Sequence, residues 1–366
     1  MKISLILNVS ITGIILLLSL IEIILINTIT ASHAHYYNSS ISRGSSSSSR
    51  RRRSNNNNNN NNNNDNGNNS SNSNSDISSE SYDIWTFPRD TNNSMYISVS
   101  PVGFQNLTNY LHHWNISYEI IVSNLQRAIL DEKRDNHLRR VSSYLRTGRN
   151  RPYYKSFNEI VQYLDQLSQT RPYMTVEDFG YTAEGRPMKG VTISSDSTRP
   201  IIWIDAGIHA REWIAPATAL SIINKLMRPS GQTLLKHFQF FIVPVVNPDG
   251  YEYTRTKYRL WRKNRARAEG EACIGIDLNR NFPFKWGVGN GASPHSCSDT
   301  YRGIEAASEL ETQSIIKKLK SLQKQIILYL SLHSFGQYIL TPFGFSRYSY
   351  PPYYQKLVSL HNSSLC

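Results

Sequence analysis

A three-layer α/β/α sandwich around a mixed, mostly parallel sheet, preceded by a smaller α+β unit, is the fold that this 366-residue sequence predicts. Three observations carry it. Residues 201–206 form an apolar run broken only by Asp205 and bounded by Pro200 and Gly207, the pattern of a strand buried on both faces. Residues 214–227 follow with apolar side chains at helical spacing, and a second buried-strand pattern occupies 326–334. Helices alternating with buried strands in this way specify layers rather than a bundle, and in open sheets of this kind binding groups gather where strands end.

At 39% hydrophobic, the chain is long enough for one large core with appendages. Lys2 precedes an apolar run over 3–26, interrupted by Ser4, Asn8, Ser10, Thr12, Ser19 and Glu22, and small residues surround His33. Residues 1–34 are therefore expected to be a cleaved secretory signal, giving an extracellular protein; an uncleaved, membrane-tethering signal anchor is the alternative. Residues 35–82 collapse to Ser, Asn and Arg, and the unbroken asparagines of 55–64 can bury nothing, so disorder is expected. The arginines of 50–53 read as a processing site, a nucleic-acid patch or simply a solvated charge run. Much of the formal charge of +13 lies in this tract and in later loops instead of on one helix face, so no nucleic-acid partner is expected. Acidic surfaces are weak candidate partners, and the chain is expected to be a monomer.

Residues 83–146 read as a compact second unit, with strands at 95–100 and 116–122 and helices at 104–113 and 124–134. Sequons at Asn92, Asn106, Asn115 and Asn362 fit a secreted chain. The larger unit covers 147–366. Phe157, Ile160, Val161, Leu164 and Leu167 line one face of a helix, strands are expected at 175–179, 188–194 and 238–246, and Asn247-Pro248-Asp249-Gly250 reads as the turn that closes the last of these.

The chemistry gathers at strand ends. His209-Ala210-Arg211-Glu212 follows the strand at 201–206, and His333 closes the strand pattern 124 residues later. Two histidines and one glutamate, with a fourth position left for water, form the open, catalytic type of zinc site; the pair His209 and Glu212 by itself would equally suit a solvated loop.

The segments WIDAGIHAREW, VVNPDGYEYT, LWRKNR, CIGIDLNRNF, DTYRG and LHSFGQYILTPFG occur in order, and together they resemble the zinc metallocarboxypeptidases of the secreted pancreatic A/B type, which are made as zymogens. The resemblance implies one Zn²⁺ per chain held by His209, Glu212 and His333, and peptide or protein C-termini as substrate. It makes 83–146 a partial inhibitory prodomain whose front half gives way to the Asn-rich tract. It also implies a trypsin-like activating protease cutting near Arg139, Arg140, Arg146, Arg149 or Arg151. Planar guanidinium groups suit recognition of a free carboxylate because they donate paired, charge-assisted hydrogen bonds. By resemblance, Asn279 and Arg280 grip the terminal carboxylate, Arg262 polarises the scissile carbonyl and stabilises its oxyanion, and Arg211 helps position substrate. Ser334 and Phe335 line the substrate channel, with Phe335 in place of the usual Tyr, and Asp277 orients the first zinc histidine. The family's bridge falls on Cys273 and Cys297, which are expected to pair in a secreted chain, with buried free thiols as the alternative; Cys366 is left over.

One departure stands out. The family's proton-accepting Glu and mobile Tyr lie beyond Cys366, and no Asp or Glu occurs after Glu311. The chain as given is therefore expected to be C-terminally incomplete, with an open sheet edge, and to lack roughly 10²- to 10⁴-fold of proton-transfer catalysis. A non-catalytic, zinc-binding protein that binds peptide C-termini is the alternative. Leu340 and Gly344 match walls of the specificity pocket and carry no charge, which predicts preference for an apolar or aromatic C-terminal residue.

Overall fold

The computed structural model describes residues 3–7, 82–86, 95–144, 152–267, 269–289, 291–335, 339–346, 348–352 and 354–355. The Asn-rich tract, Arg50 to Arg53, Asn92, Arg146, Arg149, Arg151, Asn362 and Cys366 lie outside them, as does the apolar leader run from residue 8 onward. Among the described residues no helix is long and apolar enough to cross a membrane.

The chain divides into two units, Met1–Lys133 and Arg134–Cys366. The first holds β1 (Ile3–Leu7), β2 (Tyr82–Thr86), β3 (Met95–Val99), α1 (Pro101–His113) and β4 (Tyr118–Val122), and α2 (Leu125–Tyr144) begins there. Its strands run in the order β2-β3-β1-β4, every pairing antiparallel. Ile3–Leu7, which the sequence places in the leader, is thus hydrogen-bonded on both sides, to β3 and β4. Met95, Ile97 and Val99 alternate inward along β3 and meet Leu107 and Leu111 of α1. Helix α1 starts where it does because Ser100 accepts the Gly103 N–H at 3.1 Å and Pro101 occupies the first turn, where a missing N–H costs nothing.

In the second unit α3 (Phe157–Thr170), β5 (Met174–Tyr181), β6 (Pro187–Ile193), β7 (Ile201–Ala206), α4 (Ile214–Leu226), α5 (Pro229–Leu235), β8 (Gln239–Val243), α6 (Pro248–Thr256), α7 (Leu310–Leu322) and β9 (Ile326–Leu332) follow in order. The sheet order is β5-β6-β8-β7-β9. Pairings β5/β6 and β6/β8 are antiparallel and β7/β8 and β7/β9 are parallel, so the sheet is mixed, with its parallel part at β8, β7 and β9.

Both faces of that sheet are covered, which is why β7 and β8 read as continuous apolar runs. Ile204, Ala206, Phe240 and Ile242 face a cluster with Phe157, Ile160 and Leu164 of α3 and Ala219 and Ile223 of α4. Ile201, Trp203, Phe241 and Val243, one residue out of phase, face Ile315 of α7. Trp203 is fully buried and stacked on Phe241 at 4.7 Å, so truncating it to Ala should cost about 3–5 kcal/mol. Strand β9 lies at the sheet edge, where Ile327, Tyr329 and Leu330 are exposed.

Residues 247–250, read from sequence as a turn, instead start α6. Asn247 Oδ1 accepts the Gly250 N–H at 2.9 Å and Pro248 enters the first turn, so the same residues that favour a turn here serve as a helix cap. Asn247 is also buried between loops, its amide donating to Ile208 O and Lys263 O at 3.2 and 3.0 Å.

Candidate metal centre

Strands β7 and β9 are adjacent and parallel, with Asp205 opposite Ser331 and Ala206 opposite Leu332. Their C-terminal ends therefore reach the same sheet edge. His333 is the first residue beyond β9, and His209 the third beyond β7. Between Ala206 and His209 the chain turns at Gly207, whose φ of +68° is left-handed and whose added Cβ would meet Pro216 at 3.0 Å. The Ala210 N–H, donating to Arg262 O at 3.0 Å, then anchors the loop and brings Glu212 back beneath His209.

The three side chains converge. His209 Nδ1 is 2.7 Å from Glu212 Oε1, His333 Nδ1 is 3.2 Å from Glu212 Oε2, and the two ring nitrogens are 3.2 Å apart. Donors bonded tetrahedrally to zinc at ordinary lengths stand roughly 3.3 Å from one another, so the set fits the ion with little movement. Among the described residues this is the one group of His, Cys, Asp and Glu close enough to hold a metal. Burial pushes the Glu212 carboxyl up, but hydrogen bonds from both histidines outweigh it and hold the group at about 2, the ionised state that a ligand requires. Ser334 adds its backbone N–H to Glu212 Oε2 at 2.9 Å.

Each histidine is backed on its far edge. His209 Nε2 lies 3.3 Å from Asp277 Oδ1, a charge contact that is not aligned as a hydrogen bond. Asp277 is fully buried; burial raises its pKa, yet Arg262 and His209 outweigh that and keep it well below the usual carboxylate range. Its Oδ2 accepts Arg262 Nε and Nη2 at 3.1 and 2.9 Å. Behind His333, Ser331 Oγ is 3.3 Å from Nε2 and donates to Asp205 Oδ1 at 2.6 Å, so a polar chain backs the ring edge away from Glu212. Trp203 Nε1 donates to the other Asp205 oxygen at 2.9 Å. No role for Asp205 or Ser331 is legible in the sequence, although an acid interrupting an otherwise apolar strand is a visible signal.

The remaining expected residues are distributed around this centre. Arg211 donates to Leu260 O at 3.1 Å and to Asp299 at 3.2 Å. Asn279 has an exposed side chain, while its N–H donates to Asp277 Oδ1 at 3.0 Å; Arg280 Nε donates to Gly291 O at 2.6 Å. Phe335 is half exposed. Cys273 and Cys297 are bridged, with Cα atoms 4.9 Å apart, and tie the segment ahead of Asp277 to the loop that carries Asp299.

A family model described as zinc carboxypeptidase matches residues 160–364, more than half of the chain. The chain belongs to the zinc carboxypeptidase family. A second model, the carboxypeptidase activation peptide, matches residues 74–132 of this carboxypeptidase-family chain. Carboxypeptidase A2 of Mus musculus is 35% identical over 269 residues, 72% of this chain and 64% of that relative. Carboxypeptidase B of Helicoverpa zea is 40% identical over 242 residues, 63% and 56% of the two. The family member thus spans less than two thirds of the length of these relatives. Among solved structures, carboxypeptidase A from Helicoverpa armigera aligns with a TM-score of 0.69 at 30% identity, covering 78% of this chain and 71% of that one. Thrombin activatable fibrinolysis inhibitor aligns with a TM-score of 0.68 at 32% identity, covering 78% and 73%.

Proposed function

We propose that this chain is the precursor of a secreted zinc metallocarboxypeptidase that removes residues from the C-termini of peptides and proteins. The observation that carries the proposal is the convergence of His209, Glu212 and His333 at paired strand ends, with Arg262 joined to it through Asp277. Zinc, when bound there, supplies Lewis-acid polarisation and an activated water near neutral pH. To hold the ion, His209 and His333 would each give a ring nitrogen and Glu212 a carboxylate oxygen. Arg262 keeps a charge that burial opposes and Asp277 sustains, so a guanidinium is available beside the centre for a substrate carbonyl. Arg211, Asn279, Arg280, Ser334 and Phe335 are assigned to peptide binding, with Asn279 and Arg280 on the terminal carboxylate.

The acids around the centre are already committed: Glu212 to the histidines, Asp277 to Arg262, Asp299 to Arg211, and Asp205 to Ser331 and Trp203. None of them is free to take the proton of an attacking water. The 366-residue polypeptide is therefore expected to bind zinc and peptide C-termini with slow turnover, and a form carrying a family-like segment with a carboxylate base to turn over fast.

Activation by a trypsin-like protease is assigned to the arginines after α2. Arg139 and Arg140 lie within that helix, and Arg140 is paired with Glu159 at 2.8 Å, which makes these two bonds poor candidates. Secretion and a monomeric state complete the proposal.

The test compares a peptide with a free C-terminus and its C-terminal amide. The zinc-loaded chain should bind the free acid more tightly, and the trypsin-treated extended form should shorten it by one residue in a chelator-sensitive way. Equal binding of acid and amide, or shortening that survives chelation, would count against the assignment.

A further inference from the structure

Arg265 has a buried guanidinium with incomplete hydrogen bonding. Its side chain is 11% exposed and stacks over the rings of Tyr253 and Trp261, 3.7 and 4.7 Å from their centroids. Neither Nε nor Nη1 finds a hydrogen-bond partner among the described residues. Glu184 Oε1 is 3.9 Å from Nε, beyond hydrogen-bond reach, and the other Glu184 oxygen is taken by Arg186. Two buried donors left in this state are costly, because buried polar groups are normally paired.

Beside Arg265 opens a cavity of about 530 Å³, within the range of small-molecule sites. Ile276, Ile304 and Leu310 give it apolar walls, while Arg265, Arg267 and Glu309 line its polar side. The carboxylate of Glu309 is already engaged, Oε1 by Ser308 Oγ at 2.8 Å and Oε2 by Asn264 Nδ2 at 2.6 Å. Ser308 Oγ in turn accepts from Asn281 at 2.9 Å. The acceptors of the cavity are thus used, and its spare capacity is for an acceptor presented to Arg265. None of the candidate zinc ligands, nor Arg262, Asn279 or Arg280, lines it.

We infer that this cavity is a second binding site, separate from the metal centre, for a small molecule that joins a single carboxylate to an aliphatic or aryl body. The fork of Arg265 takes the carboxylate, and Ile276, Ile304 and Leu310 cover the body. A single negative charge is specified because Glu309 lines the cavity and Glu184 flanks Arg265, so a phosphate dianion would meet two carboxylates at close range.

The probe is 4-phenylbutyrate, titrated by calorimetry into the zinc-loaded full chain carrying Arg280→Gln, which disables the carboxylate site assigned to Asn279 and Arg280, with 4-phenylbutyramide and inorganic phosphate as comparisons. Saturable binding of the acid is expected, weaker for the amide and for phosphate by about tenfold or more. Adding Arg265→Gln to that chain should lower affinity for the acid by about tenfold or more with zinc content unchanged. Ile304→Glu, on a side chain exposed in this fold, puts a carboxylate at the mouth and should weaken binding even if the arginine variant fails to fold. The inference is overturned by absence of saturable binding, by amide or phosphate binding as tightly as the acid, or by affinity for the acid retained in both Arg265→Gln and Ile304→Glu.

Discussion

Asp277 Oδ1 stands 3.3 Å from His209 Nε2, on the ring edge opposite the one that meets Glu212. The other oxygen of the same carboxylate accepts both Arg262 donors, so one fully buried acid joins a candidate zinc ligand to the guanidinium proposed to polarise substrate. Replacing it with Ala leaves the Arg262 charge unpaired and removes the group that orients His209. Zinc affinity of Asp277→Ala should fall by about 10- to 100-fold, the usual cost of losing such a partner. Competition against a chelator of known strength measures it, and an unchanged affinity would remove Asp277 from the centre.

Glu311 gives a pH signature away from the metal. It is fully buried, Oε2 receives Asn264 Nδ2 at 3.3 Å, and Oε1 has no hydrogen-bond partner among the described residues. Burial, with repulsion from Glu309 and Asp249, pushes its carboxyl up to about 7 from an ordinary 4.5. An acid whose pKa is raised on folding binds more protons folded than unfolded. It supports stability fully below about pH 4.5, and that contribution is lost as pH rises through about 7. In Glu311→Gln this decline should be absent, so the variant gains on the parent between those pH values in urea denaturation. A parent-to-variant difference that is flat across the window would contradict the shift.

The Cys273–Cys297 bridge closes a loop with sequence separation 24 and should contribute about 3 kcal/mol. It also holds the loop in which Lys263 Nζ donates to Ser296 O at 2.6 Å and Asp299 pairs with Arg211. The double Cys→Ser variant is expected to unfold at lower denaturant concentration with zinc stoichiometry retained below the transition. Loss of zinc from the still folded variant would show that the bridge shapes the centre itself.

Much of this site is readable before the fold is seen. The run at 201–206 ending near His209 and Glu212 is a local pattern, and so is the strand that delivers His333. What places the two together is the parallel pairing of β7 with β9, a contact across 124 residues that no local pattern encodes. The start of α6 at Asn247 was open to a turn reading because a short polar side chain satisfies a nearby N–H equally well in a turn and at a helix cap. The chain from Ser331 to Asp205 and Trp203 escaped for a similar reason: a polar residue in a strand announces a partner without saying which strand holds it. The cavity beside Arg265 was hidden because LWRKNR reads as one basic loop, and only the partners brought up by the fold separate the arginine paired with Asp277 from the one that stacks on Tyr253.

The central claim is a metal centre made by His209, Glu212 and His333, and zinc content by mass spectrometry of purified protein tests it most directly. About one zinc per chain is expected in the parent, with His333→Ala losing most of it while keeping its fold by circular dichroism, because two ligands seldom hold the ion. Unchanged zinc stoichiometry in folded His333→Ala would contradict the account.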